Sequence, residues 1–231
     1  MLNRRSSPSE GRIAVAEAVE RLPYWATGLA EEAELAKVVE RASEMMSMTG
    51  QSGDASNSNP FSPKTGKAER GLLIIAPDTK GGTTLRWVML LSEIPIARRS
   101  AQIKLHNSRK QLLTWGSYVL NYPYEAAARS GRRAWSWHLK QDTERRLTAR
   151  VTTLTQAAAK AMASGLAEES HRHLESVRAF VEDILSKAVH RGSRRQIAKM
   201  MRRCARIWET KAGGSAWPGP DPLSVARASC P

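Results

Sequence analysis

Along the first fifty residues, apolar positions recur mainly at intervals of three and four. Ile13, Val15, Val19 and Leu22 run up to Pro23, which cannot continue a helix, and Ser9 can cap the start. A second helix is expected after Thr27 or Gly28. Glu31, Glu32 and Glu34 fall in its first turns, where the helix dipole favours negative charge. Its apolar residues Leu35, Val38, Val39, Ala42, Met45 and Met46 make one stripe. The spacing predicts an N-terminal helical hairpin over 1–48, with residues 1–8 as a polar, flexible start.

Residues 49–70 break the pattern. Ser, Asn, Gly and Pro crowd out apolar side chains, which reads as a flexible linker. Beyond it the period shortens to two. Leu72–Ala76 and Thr83–Leu91 flank the turn residues Pro77–Gly82, a hairpin signature. Residues Ala101–His106 alternate strictly, as a half-buried strand does, and Ser117–Tyr122 reads as another strand. Trp135, Trp137 and Leu139, then Leu147, Ala149 and Val151, alternate with polar residues and suggest a second hairpin with one apolar face. From about Gln156 the helical period returns. Gly165 divides a short Ala-rich helix from a longer one that buries Leu174, Val177, Val181, Ile184 and Leu185 and ends near Arg191-Gly192. Ser193 is placed to cap a last helix, Arg194 to about Thr210. Residues 213–231, with four prolines and three glycines among them, read as a mobile, disordered tail.

Helices, then strands, then helices argue for an α+β fold. The expected order is the helical hairpin, a central antiparallel sheet of about five or six strands, C-terminal helices and the tail. The expected divisions are a helical segment 1–48, the linker 49–70, a basic core domain 71–212 and the tail 213–231.

Charge changes this picture more than composition does. The chain of 231 residues carries 36 Lys and Arg against 22 Asp and Glu, a net +14 with a pI near 10.4. Residues 1–70 sum to −1, residues 71–150 to +9 and residues 151–231 to +6, so the positive field belongs to the last two thirds. Such a balance attracts polyanions at long range. Two constellations focus it. In the last helix Arg191, Arg195, Lys199, Arg202 and Arg206 recur at three and four, and Arg194 and Arg203 widen the same face. Ile197, Met200, Met201, Cys204, Ile207 and Trp208 form the opposing stripe. One side can dock while the other offers guanidiniums to phosphates. The second region is looser: Arg98, Arg99, Lys104, Arg109 and Lys110, then Arg129, Arg132, Arg133, Arg145, Arg146 and Arg150. Trp115, Tyr118, Tyr122, Tyr124, Trp135 and Trp137 lie among them. Basic strands interleaved with aromatics can stack bases while holding the backbone. The plain alternative is a solvated basic face, with Trp135 and Trp137 as ordinary core.

Other chemistry finds less support. His171 and Glu175 share a helical face, but His173 points elsewhere and no further ligand set stands out, so no metal or other cofactor is expected. Cys204 lies on an apolar stripe, unlike an activated nucleophile. Lys64-Thr65-Gly66-Lys67 lacks the P-loop glycine, because Phe61 stands in its place. Two cysteines, Cys204 and Cys230, make no disulfide framework, which favours a reducing compartment, cytoplasmic or nuclear. The N-terminus shows no secretory signal, and no apolar run is long enough to span a bilayer.

Three functional classes follow. The first is a non-enzymatic protein that binds RNA or DNA through an electrostatic Arg-rich surface, in packaging or coating. The second is a peripheral, matrix-like structural protein, of the viral kind, under an anionic leaflet, where each nearby Lys or Arg is worth about 1 kcal/mol. The third is an enzyme on nucleic acid whose active site is dispersed in sequence. Self-association through the 1–48 helices is a further expectation.

Overall fold

A computed structural model of the chain describes residues 1–49, 70–79, 81–95, 103–121, 135–187, 190–213 and 216–227. The chain divides into two compact units. One comprises residues 1–116 and 120–135, the other residues 117–119 and 136–231.

The first unit is built on a five-stranded sheet. Its elements are β1 (Leu2–Arg4), α1 (Pro8–Ala18), β2 (Tyr24–Ala30), a 3-10 turn (Glu32–Glu34), α2 (Leu35–Met48), β3 (Gly71–Pro77), β4 (Leu85–Leu91) and β5 (His106–Asn107). The strand order is β1-β3-β4-β2-β5. β1 runs parallel to β3, and the other pairings are antiparallel, with Ile74 opposite Val88 and Thr27 opposite the same residue from the other side. β3 is a continuous apolar run because both its faces are covered. Leu73, Ile75, Met89 and Leu91 pack against Leu35, Ala42 and Met45 of α2. The alternate residues lie under α1, where a Cβ at Gly11 would be 2.7 Å from that of Ala76. The crossovers through α1 and α2 travel in opposite directions along the sheet. Two connections of one hand then place their helices on opposite faces.

Residues 1–48 are therefore not a helical hairpin. β1 and β2 are strands of the same sheet as β3 and β4, and α2 starts at Leu35 rather than after Thr27. Tyr24–Ala30 has no apolar alternation of its own and is a strand because β4, some sixty residues away, pairs with it along its whole length. The apolar stripe of α2 faces the sheet as expected. α1 is capped by Ser7 rather than Ser9, since Pro8 suits the first helical position and the Ser7 hydroxyl accepts from the Glu10 N–H at 3.2 Å. The hairpin of β3 and β4 is present, and the Asp78 carboxylate accepts from Arg86 Nε at 2.6 Å beside its turn. In the 101–106 alternation, Ala101 and Gln102 lie outside the described residues and 103–105 form no strand; β5 starts only at His106.

A second sheet holds β6 (Thr114–Trp115), β7 (Tyr118–Asn121) and β8 (Ser136–Leu139) in that order. The sheet strands are thus split over two sheets and include a parallel pair, where a single antiparallel sheet was expected.

The second unit is mainly helical: α3 (Gln141–Ala163), α4 (Ala167–Lys187), α5 (Arg191–Lys211) and α6 (Pro222–Arg227). The second expected hairpin is absent, because Leu147–Thr152 lies inside α3. Five alternating residues also fit a helix, and here Val151, Thr155, Ala158 and Ala159 form its buried stripe. Gly165, at φ +73, ends α3 as expected. Its N–H bonds to the Met162 carbonyl and the Leu166 N–H to that of Ala161, the paired closure that a left-handed glycine permits. Leu174, Val177, Val181 and Ile184 of α4 are buried. Residues 216–227 are not a loose tail. Trp217 packs against the cluster of Ala158, Ala159, Leu174, Trp208 and Ala212, and Val225 of α6 is buried.

Candidate nucleic-acid interface

α5 carries eight Lys or Arg and one acid, Glu209. His190 is its N-cap; Ser193, expected in that role, instead donates to the His190 carbonyl at 2.9 Å. Ile197, Met200, Met201, Cys204 and Trp208 are buried, while Arg191, Arg195, Lys199, Arg202, Arg203 and Arg206 are exposed. The two faces fall as the spacing predicts. Arg194 is only half-exposed and is engaged with neighbouring groups, so it does not belong with the open cations.

Side-chain bonds fix the position of this helix. Gln196 receives the Leu139 N–H at 2.7 Å and donates from Nε2 to the Leu139 carbonyl at 3.2 Å and to Glu144 Oε2 at 2.8 Å. One amide thus joins β8, α3 and α5. Gly192 lies so close to β8 that its N–H donates to Ser136 Oγ at 2.9 Å. Burial pushes the His138 imidazole below its usual range, Glu144 opposing and Arg195 adding to the effect. Burial likewise pushes the Cys204 thiol up, against a hydrogen bond with Thr155 and the charge of Arg203, so it is a packed group rather than an activated one.

The first turns of α3 run beside α5, and an open groove of about 460 Å³ lies between them. Glu144, Arg145, Thr148, Ala149 and Thr152 line one bank, with Lys199, Met200, Arg203 and Arg206 on the other. A second cavity of about 450 Å³ continues along α5 past Ile207 and Thr210 to Lys211, and Arg203 and Arg206 line both. The groove brings together Arg145 from one basic region of the sequence and Lys199, Arg203 and Arg206 from the other. Arg191, Arg195, Arg202 and Arg146 are exposed but do not line it. The Arg150 guanidinium lies 4.6 Å from the centroid of the Phe180 ring, a cation–π contact on α4. Arg129, Arg132 and Arg133 lie outside the described residues, as do Arg98 and Arg99. Trp137 and Trp115 are fully buried, so neither offers a face to a base.

The sequence reading missed Glu144, Thr148, Ala149, Thr152 and Lys211. Residues 145, 148, 149 and 152 lie on one face once 141–163 is read as a helix, which the strand assignment of 147–152 obscured. On α4 His171 pairs with Glu175 and His173 with Glu169, each four residues apart. Among the described residues no group of three or more His, Cys, Asp or Glu is placed to hold a metal, and no helix is long and apolar enough to cross a membrane. No protein-family model, curated protein or solved structure matches the chain.

Proposed function

We propose that this protein is a non-enzymatic nucleic-acid-binding protein whose contact surface is the α3–α5 groove, acting in the coating or packaging of RNA or DNA. The observation that carries this is the convergence of Arg145, Lys199, Arg203 and Arg206 on one groove. None of the four pairs with a carboxylate among the described residues, and the one acid of the groove, Glu144, is held by Gln196. Four cations left without counterions on a stiff scaffold gain by exchanging salt ions for phosphates.

Replacing Arg145, Lys199, Arg203 and Arg206 by Gln keeps good helix formers in place. Each lost phosphate contact flattens the slope of log K against log salt by about 0.7 for a single strand or 0.9 for duplex DNA. The fourfold variant therefore flattens it by roughly 3 units, read by fluorescence anisotropy across a salt series. An unchanged slope rejects the groove as the nucleic-acid site. Sedimentation with anionic liposomes is the parallel arm: a variant that loses liposomes but keeps nucleic acid supports the membrane-associated, matrix-like reading instead.

A further inference from the structure

We infer that the α3–α5 groove selects single-stranded nucleic acid over duplex. The inference rests on the reading of the groove as a nucleic-acid site and specifies its ligand. A helix that reads a duplex must enter a major groove about 12 Å wide and 8.5 Å deep, so it has to project from its protein. α5 does not project. Its buried stripe faces the helical core, α3 flanks it across the groove, Gln196 ties its first turns to β8, and α6 packs against it further along. The cations are instead distributed over two facing banks, Arg145 on one and Lys199, Arg203 and Arg206 on the other.

Thr148 and Thr152 line the groove with Ala149 and Met200. One sugar-phosphate strand lying along the groove can meet cations from both banks at once. The second cavity extends the path along α5 from Lys199 to Lys211, about 18 Å of helix axis at 1.5 Å per residue. Arg203 and Arg206 line both cavities, so consecutive phosphates of one strand can share them.

The test uses the full chain, with a labelled single strand of about 12 nucleotides and the duplex of the same sequence, titrated at matched salt. The single strand should bind about tenfold more tightly. Ala149→Trp, at an exposed position lining the groove, fills it without changing charge. Its circular dichroism spectrum should match the parent's. It should lower single-strand affinity more than duplex affinity and so remove most of the single-strand advantage. Duplex affinity equal to or above that of the single strand overturns the inference, and so does undiminished single-strand binding by Ala149→Trp. The failures are separable. If the fourfold Gln variant weakens both ligands but no strand preference exists, only this inference falls; if it weakens neither, the nucleic-acid reading of the groove falls with it.

Discussion

A methyl group added at Gly192 would lie 2.6 Å from His138 Nε2 and 2.7 Å from the Trp137 carbonyl oxygen. The carbonyl belongs to β8 and cannot swing aside as a flexible side chain does. Gly→Ala inside a helix ordinarily gains roughly 0.5–1 kcal/mol. Here the overpacking should dominate, and Gly192→Ala should destabilise by about 1–3 kcal/mol in urea denaturation. An unchanged or higher midpoint would refute the close β8–α5 joint. Gln196 is the complementary case, since its one amide meets Leu139 on both sides and Glu144 besides. Neither role was legible in the sequence. Gly192 reads there as the end of a helix and Gln196 as one more polar residue, because each is defined by a partner more than fifty positions away.

Helix periodicity was legible where one apolar face meets one partner. α2, α4 and α5 bury most of the positions their spacing indicates, with Val38, Val39, Met46, Leu185 and Ile207 half-buried. It failed for α3, whose first turns hold Leu147, Ala149 and Val151 in alternation, a window too short to separate a strand from a helix. It failed again at the C-terminus, where proline and glycine suggested disorder. Trp217 there lies with its ring centroid 6.0 Å from that of Trp208, at 69°, and its indole N–H donates to the Pro220 carbonyl at 3.2 Å. An edge-to-face pair adds about 0.5–1.5 kcal/mol beyond the area it buries. Trp217→Ala should therefore lower stability by about 1–2 kcal/mol, seen as a lower thermal or urea midpoint. A segment with no part in the fold would leave the midpoint where it was.

At the scale of the whole molecule, a net charge of +14 attracts any polyanion, so affinity alone does not locate a site. Charge-matched pairs do. Lys160→Gln with Arg172→Gln, at exposed positions of α3 and α4 away from the groove, removes two charges. Lys199→Gln with Arg203→Gln removes the same two from the groove. A diffuse field predicts equal loss of salt dependence from both. The groove predicts that the second pair flattens the single-strand slope by about 1.4 while the first hardly moves it. Equal changes would show that binding is spread over the surface.

By itself the sequence determined the excess of positive charge, its concentration in the last two thirds, the β3–β4 hairpin and the two-faced character of α5. All of these depend on residue identity and on neighbours within a few turns or one short loop. Only the tertiary structure decided that β1 and β2 complete the sheet of β3 and β4, that 147–152 is helical and that Trp217 is packed. It alone brought Arg145 opposite Lys199, Arg203 and Arg206. Those outcomes depend on which distant surfaces cover one another. A groove exists only once two helices lie side by side, so the residues that line it carry no mark of one another in the chain.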